Sequence, residues 1–231
     1  MYNFAAPLFW YKFVFLAEIL IAEALMVYRM KRKKHFVRRA FSALLCVIAL
    51  TFAMPVPFYN AVYSSFLFLV VFVYTLIALK FCFDEPWGNV VYCGFFSYNL
   101  QHISYQLYAL FCVLFELDAN SNIYGNTMGG ISQLQLLLFI TPHIVIYLIG
   151  WALINFRTYL KGSYGFYLHN IKILVLSIII VSINVTLHAF VVYNLPFDTV
   201  PFVYNIIIFY NLFSCALAMI LMLFIVGREE L

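Results

Sequence analysis

Long apolar runs, broken by short polar or charged clusters, divide the 231-residue chain into seven segments of helical length. They lie at about 8 to 28, 36 to 55, 61 to 80, 88 to 115, 131 to 155, 171 to 192 and 202 to 226. A helix rising 1.5 Å per residue needs roughly 20 residues to cross about 30 Å of hydrocarbon, and each segment is close to or above that length. The pattern predicts an all-α fold, a polytopic membrane helix bundle of about seven transmembrane helices. Two segments depart from a plain span. The first carries Lys12, Glu18 and Glu23, and a central charge costs about 2.5 to 3.5 kcal/mol on insertion scales. The fourth contains "SYNLQHISYQLY", residues 97–108, with Asn99, Gln101, His102 and Gln106 among its aromatics.

On a helix, Asn99, His102 and Gln106 fall at i, i+3 and i+7 and share one stripe, with Tyr98, Gln101, Tyr105 and Tyr108 on an adjacent stripe. Leaving such groups unpaired in hydrocarbon costs several kcal/mol, so both stripes must face protein or trapped water. The partners available are Glu18 and Glu23 of the first segment, His143 of the fifth, Asn184 and His188 of the sixth, and Asn205 and Asn211 of the seventh. As interhelical glue, each hydrogen bond contributes about 0.6 kcal/mol on average. As a functional set, intramembrane ionisable residues mark a ligand site, an ion path or a proton relay. Glu18 and His102 are the first candidates for that role, because a carboxyl beside an imidazole couples the protonation of the two. With them the signal-sensing set comprises Asn99, Gln101, Gln106 and His188; Glu23, His143, Asn184, Asn205 and Asn211 are read as structural polar partners.

Composition agrees with the pattern. Hydrophobic residues make up 66% of the chain and charged residues 10%, against about 25% charged in soluble domains. The charges that remain set an orientation. "RMKRKKHFVRR", residues 29–39, holds seven of the 13 Lys and Arg residues and so marks a cytoplasmic loop. Alternation then places the N-terminus outside and the C-terminus in the cytoplasm, with Lys80, Arg157, Lys161, Lys172 and Arg228 inside and only Lys12 outside. Trp10, Trp87 and Trp151 fall near segment ends, as indoles at the headgroup level should. Pro86 suits the first turn of the fourth helix, and Pro142 predicts a kink in the fifth. The basic run reads as a topology signal that also holds anionic lipid, not as a nucleic-acid patch.

Enzymatic and metal chemistry find no pattern in the sequence. There is no glycine-rich phosphate loop, HExxH, GxSxG or paired-cysteine zinc motif. The five cysteines (Cys46, Cys82, Cys93, Cys112, Cys215) are odd in number and widely spaced, which suits packing better than disulfides. No catalytic residue, metal or cofactor is expected. The N-terminus lacks the basic start of a removed signal peptide.

The stretch "LKFCFDEPWGNVVYCGFFSYNLQHISYQLY", residues 79–108, resembles the N-terminal membrane domain of GHKL-type sensor histidine kinases of Gram-positive bacteria. The likeness rests on the acidic turn Phe83 to Trp87, leading into a span with the Gln101-His102 pair and its nearby tyrosines. The opening "LFWYKFVFLAEILIAEAL", residues 8–25, also resembles the start of such proteins. The resemblance implies a homodimeric receptor in the cell membrane whose last span passes a stimulus to a cytoplasmic kinase domain or response regulator. Residues 1–226 are then the sensor domain, and "GREEL", 227–231, the truncated start of a cytoplasmic helix. The sequence stops at Leu231, before the kinase domain that the resemblance implies, so no catalytic residue carries over. The alternative, from a different class, is a small transporter or substrate-capture subunit with Glu18, His102 and His188 lining a cavity.

Overall fold

The computed structural model describes residues 7–53, 61–115, 117, 133–161, 175–180, 182–183, 186–187 and 201–227. Six long helices are described: α1 (Pro7–Val27), α2 (Phe36–Ala53), α3 (Ala61–Cys82), α4 (Trp87–Leu114), α5 (Gln133–Lys161) and α6 (Pro201–Gly227). Each covers a predicted segment, with α5 running six residues beyond its expected C-terminal end. Of the segment expected at 171–192, residues 175–180, 182–183 and 186–187 are helical, while Asn184 and His188 lie outside the described residues. So do the predicted loop at 116–130, apart from Leu117, and the "GREEL" tail beyond Gly227.

Among the described residues, three stretches are long and apolar enough to cross a bilayer: Phe36–Ala53, Leu134–Asn155 and Asn205–Leu223. They mark a membrane protein whose described elements are helices. α1 and α4 are helical without meeting that standard, and both place their polar side chains inside the bundle. In α1, Lys12, Glu18 and Glu23 are all buried.

α4 forms the axis. It packs against α5, α6, α1 and α3, while α2 packs chiefly on α3. Pro86 caps its start in an extended conformation (φ −60°, ψ 152°), and its carbonyl accepts the Asn89 and Val90 N–H groups at 3.1 and 3.3 Å. Pro86 therefore stands just before the first turn, where its missing N–H is no loss. Nineteen of the 28 residues of α4 are buried, and the run from Phe96 to Gln106 is buried without a break. Because those eleven positions span three turns, the helix is enclosed on every side, a wider burial than two stripes require.

Two close approaches allow this enclosure. A Cβ on Gly94 would lie 2.0 Å from Leu76 Cδ2 of α3, and one on Gly150 would lie 2.4 Å from Leu100 Cδ1. Glycine at each crossing lets the neighbouring leucine fill the space a side chain would occupy, the usual role of small residues between membrane helices. The hydroxyls of Ser97 and Ser104 bond back to the Cys93 and Leu100 carbonyls at 2.7 and 2.8 Å, so they need no partner on another helix. α5 remains one helix through Pro142.

Candidate functional site

The polar side chains of α4 meet the rest of the bundle at three levels. Tyr92 donates from its hydroxyl to the Met222 carbonyl of α6 at 3.2 Å. Two turns on, Asn99 donates from Nδ2 to the Cys215 carbonyl at 2.8 Å. Gln101, on another face, donates from Nε2 to Glu18 Oε2 of α1 at 2.5 Å. A buried carboxylate oxygen with an amide donor is satisfied on that side by a charge-assisted bond if ionised, or by an ordinary one if neutral.

The other oxygen, Glu18 Oε1, faces His143 Nε2 of α5 at 3.4 Å. Both residues are buried. His143 Nδ1 lies 2.7 Å from the Phe139 carbonyl. A carbonyl only accepts, which assigns the proton to Nδ1 and leaves Nε2 as the nitrogen that either lacks or carries a proton. The pair then has two arrangements of equal net charge: a carboxylic acid facing a neutral imidazole, or a carboxylate facing an imidazolium. At 3.4 Å the two atoms are within ion-pair range but longer than a well-made hydrogen bond, and neither has another hydrogen-bond partner among the described residues. An approach of about half an ångström makes the bond.

Around this pair the packing is aromatic. Phe139 and Tyr147 flank the His143 ring, with centroids at 4.5 and 5.7 Å. The Tyr147 hydroxyl donates to the Glu18 carbonyl at 3.2 Å. His102, the imidazole expected beside Glu18, stacks on Tyr98 with ring centroids 6.2 Å apart; the imidazole that faces Glu18 is His143, expected as a structural partner. Gln106 is buried in α4. Glu23 turns to α3, accepting from Thr75 Oγ1 at 2.6 Å. Asn205 Oδ1 and both side-chain polar atoms of Asn211 are buried without a hydrogen-bond partner among the described residues.

Sequence reasoning missed Tyr147 and Thr75. Tyr147 stands at i+4 from His143, as Phe139 stands at i−4, so helical spacing was the signal for it. Thr75 in an apolar run gave none.

A second polar structure sits at the end of the bundle that carries the basic loop. The acidic turn 83–86 docks on that loop through an antiparallel bridge between Arg32 and Phe83. Its backbone bonds run from Lys33 N to the Cys82 carbonyl (3.0 Å) and from Asp84 N to the Lys31 carbonyl (2.7 Å). Glu85 accepts from Lys31 N at 3.2 Å and from Asn89 Nδ2 at 2.9 Å. Lys31 Nζ lies 3.5 Å from Asp84. Lys33 Nζ, Arg39 Nη1 and Lys80 Nζ each donate to a backbone carbonyl, of Lys80, Phe81 and Glu85 respectively. The loop closes with His35 at φ 60°, a left-handed backbone position unusual for a residue with a Cβ. The positive run and the acidic turn thus form one clasp joining the α1–α2 and α3–α4 connections.

Fold and site define a helical membrane protein with a polar, aromatic-walled core around one central helix. No protein-family model matches the chain, and no curated protein or solved structure matches it either. Among the described residues, no group of three or more His, Cys, Asp or Glu side chains is placed to hold a metal ion.

Proposed function

We propose that this chain is the signal-sensing membrane module of a two-component histidine kinase of the GHKL type, acting as a homodimer. In this reading about seven helices cross the membrane, the N-terminus is outside, and the clasp faces the cytoplasm beside anionic lipid headgroups. The C-terminal end of α6 continues into a kinase domain.

The observation that carries the reading is the Glu18–His143 pair, held at 3.4 Å against α4. A sensor needs an element with two arrangements separated by a few kcal/mol, biased by the stimulus. Proton position and interatomic approach supply two such arrangements here. The path to the output is short: Gln101 on α4 holds Glu18, and Asn99 and Tyr92 on the same helix hold carbonyls of α6. A shift of α4 relative to α1 and α5 therefore pulls on the last helix at two levels. The resemblance of residues 79–108 to sensor kinase membrane domains supports the same reading.

The test is a reporter strain carrying the full-length protein. Gln101→Leu, His102→Leu and His143→Leu, each checked for membrane abundance, should fix the reporter in one state. An unaltered stimulus response in Gln101→Leu and His143→Leu would sink the proposal. A gene that stops at Leu231 beside genes for an ATP-driven transporter would favour a substrate-capture subunit.

A further inference from the structure

A slot between α1, α2 and α3 opens beside the clasp, away from the Glu18–His143 pair, and encloses about 450 Å³. That volume lies in the range of small-molecule sites. Its origin is visible in the sequence: Ala24, Ala40, Ala43 and Ala78 line it, and four methyl side chains leave unfilled the space that larger apolar residues would occupy. Along α2 the lining runs from Phe36 to Val47, about 16 Å at 1.5 Å per residue. That is about half of the roughly 30 Å hydrocarbon thickness, the depth of one leaflet.

The two ends differ chemically. At the floor, Glu23 is already bonded by Thr75 Oγ1 at 2.6 Å, which gives it one partner inside the bundle. At the mouth, Arg32 places its guanidinium carbon 4.9 Å from the Phe36 ring centroid. Lys33, Arg39 and Lys80 are engaged by backbone carbonyls and Lys31 by Asp84. No carboxylate of the described residues pairs with Arg32. A planar guanidinium with its donors uncommitted, at the mouth of an apolar slot, is suited to a phosphate.

We propose that the slot holds one acyl chain of an anionic phospholipid from the surrounding bilayer, with the lipid phosphate on Arg32. Chain and headgroup are required together: the apolar walls match one leaflet's depth, and the cation stands where a phosphate sits. This inference rests on the membrane reading of the chain and is independent of the kinase assignment, so a reporter that fails to respond leaves it standing.

The experiment uses the full chain in phosphatidylcholine vesicles containing a phosphatidylglycerol with a photoactivatable diazirine at mid-chain. The label should concentrate on peptides containing Ala43 and Ala78. Ala43→Phe and Ala78→Phe fill the slot and should each cut labelling about tenfold, the equivalent of about 1.4 kcal/mol, with thermal melting in detergent reporting that the fold is kept. Arg32→Gln changes an exposed side chain, and it should abolish the preference for the phosphatidylglycerol probe over a phosphatidylcholine probe while the apolar labelling persists. Labelling spread evenly over the outer face of α2, at Phe41 and Leu45, would overturn the proposal. So would an unchanged lipid preference in Arg32→Gln, or displacement of the phospholipid by an equimolar free fatty acid.

Discussion

α2 and α4 invert the usual relation between hydrophobicity and burial. α2 is apolar enough to span a bilayer, yet only Val47 and Thr51 of its 18 residues are buried, and Val37, Phe41, Leu45 and Ile48 point outward. α4 carries Asn99, Gln101, His102 and Gln106, and all four are buried. In water the apolar helix would be the core. In lipid, hydrocarbon contacts are available outside, and it is the polar groups that must find protein partners. Burial in this molecule therefore follows polarity, and the helix least suited to lipid becomes the one on which the others assemble.

The sharpest way to break that comparison is to remove polarity from α4. Gln101→Leu deprives Glu18 Oε2 of its donor, and an unsatisfied buried acceptor costs about 1 to 3 kcal/mol, more if charged. Unfolding in mixed detergent should show the largest loss of the series, about 3 kcal/mol. Adding Glu18→Leu to it should recover a good part of that loss, because both partners then become apolar. A double variant as unstable as the single one would mean that the bond contributes nothing specific.

Gly150→Ala comes next. Its Cβ would meet Leu100 Cδ1 at 2.4 Å and Cδ2 at 2.9 Å, and Leu100 is fully buried. Overpacking of this kind costs about 1 to 3 kcal/mol, and we expect about 2 from the same unfolding assay. Leu100→Ala in addition should relieve the clash, with recovery partial because it leaves a cavity.

How far these features could be read in the sequence differs between the two helices. The six described helices follow from apolar runs, which register without any knowledge of neighbours. The need of α4 for partners was equally legible, from Asn99, Gln101 and His102 at mid-span. Which partner each would find was not. Glu18 to Gln101 was among the pairs expected, but the imidazole facing Glu18 belongs to His143, because the rotation of α5 about its own axis decides which side chain points inward and no periodicity in a single chain fixes that relative rotation. The full enclosure of α4 was hidden for a related reason: it depends on Gly94 and Gly150, whose meaning appears only when Leu76 and Leu100 are seen against them. The clasp was in reach, since an acidic turn and a basic loop on one side of the membrane attract, but its backbone pairing, of Lys33 with Cys82 and of Asp84 with Lys31, is a matter of loop geometry.

A smaller effect belongs to the contact between α4 and α6. Asn99→Leu removes the bond to the Cys215 carbonyl. Interhelical hydrogen bonds in membranes average about 0.6 and reach about 1.7 kcal/mol, so a loss of about 1 kcal/mol is expected. On the sensor reading proposed above, output should be more sensitive than stability: in the full-length reporter, Asn99→Leu should weaken the response while the protein accumulates normally. Full response would place the coupling to α6 elsewhere, with the Tyr92 bond to the Met222 carbonyl as one further link.

The smallest effect should come from the outer face of α2. Phe41 and Leu45 are exposed in the monomer, so Phe41→Leu and Leu45→Val exchange one lipid-facing apolar side chain for another and should change the unfolding free energy by less than about 0.5 kcal/mol, as substitutions away from packed contacts do. Val47→Ala on the inner face of the same helix gives the internal standard, because Val47 is 1% exposed and truncation of a buried aliphatic costs about 1 kcal/mol or more. The contrast between the two faces tests more than α2. If Phe41→Leu costs as much as Val47→Ala when measured in bilayers, but nothing in detergent at high dilution, the outer face is covered by a second copy of the chain, and the homodimer proposed for the receptor has its interface there. If it costs nothing in either medium, α2 meets only lipid, and a dimer has to form through another surface of the bundle.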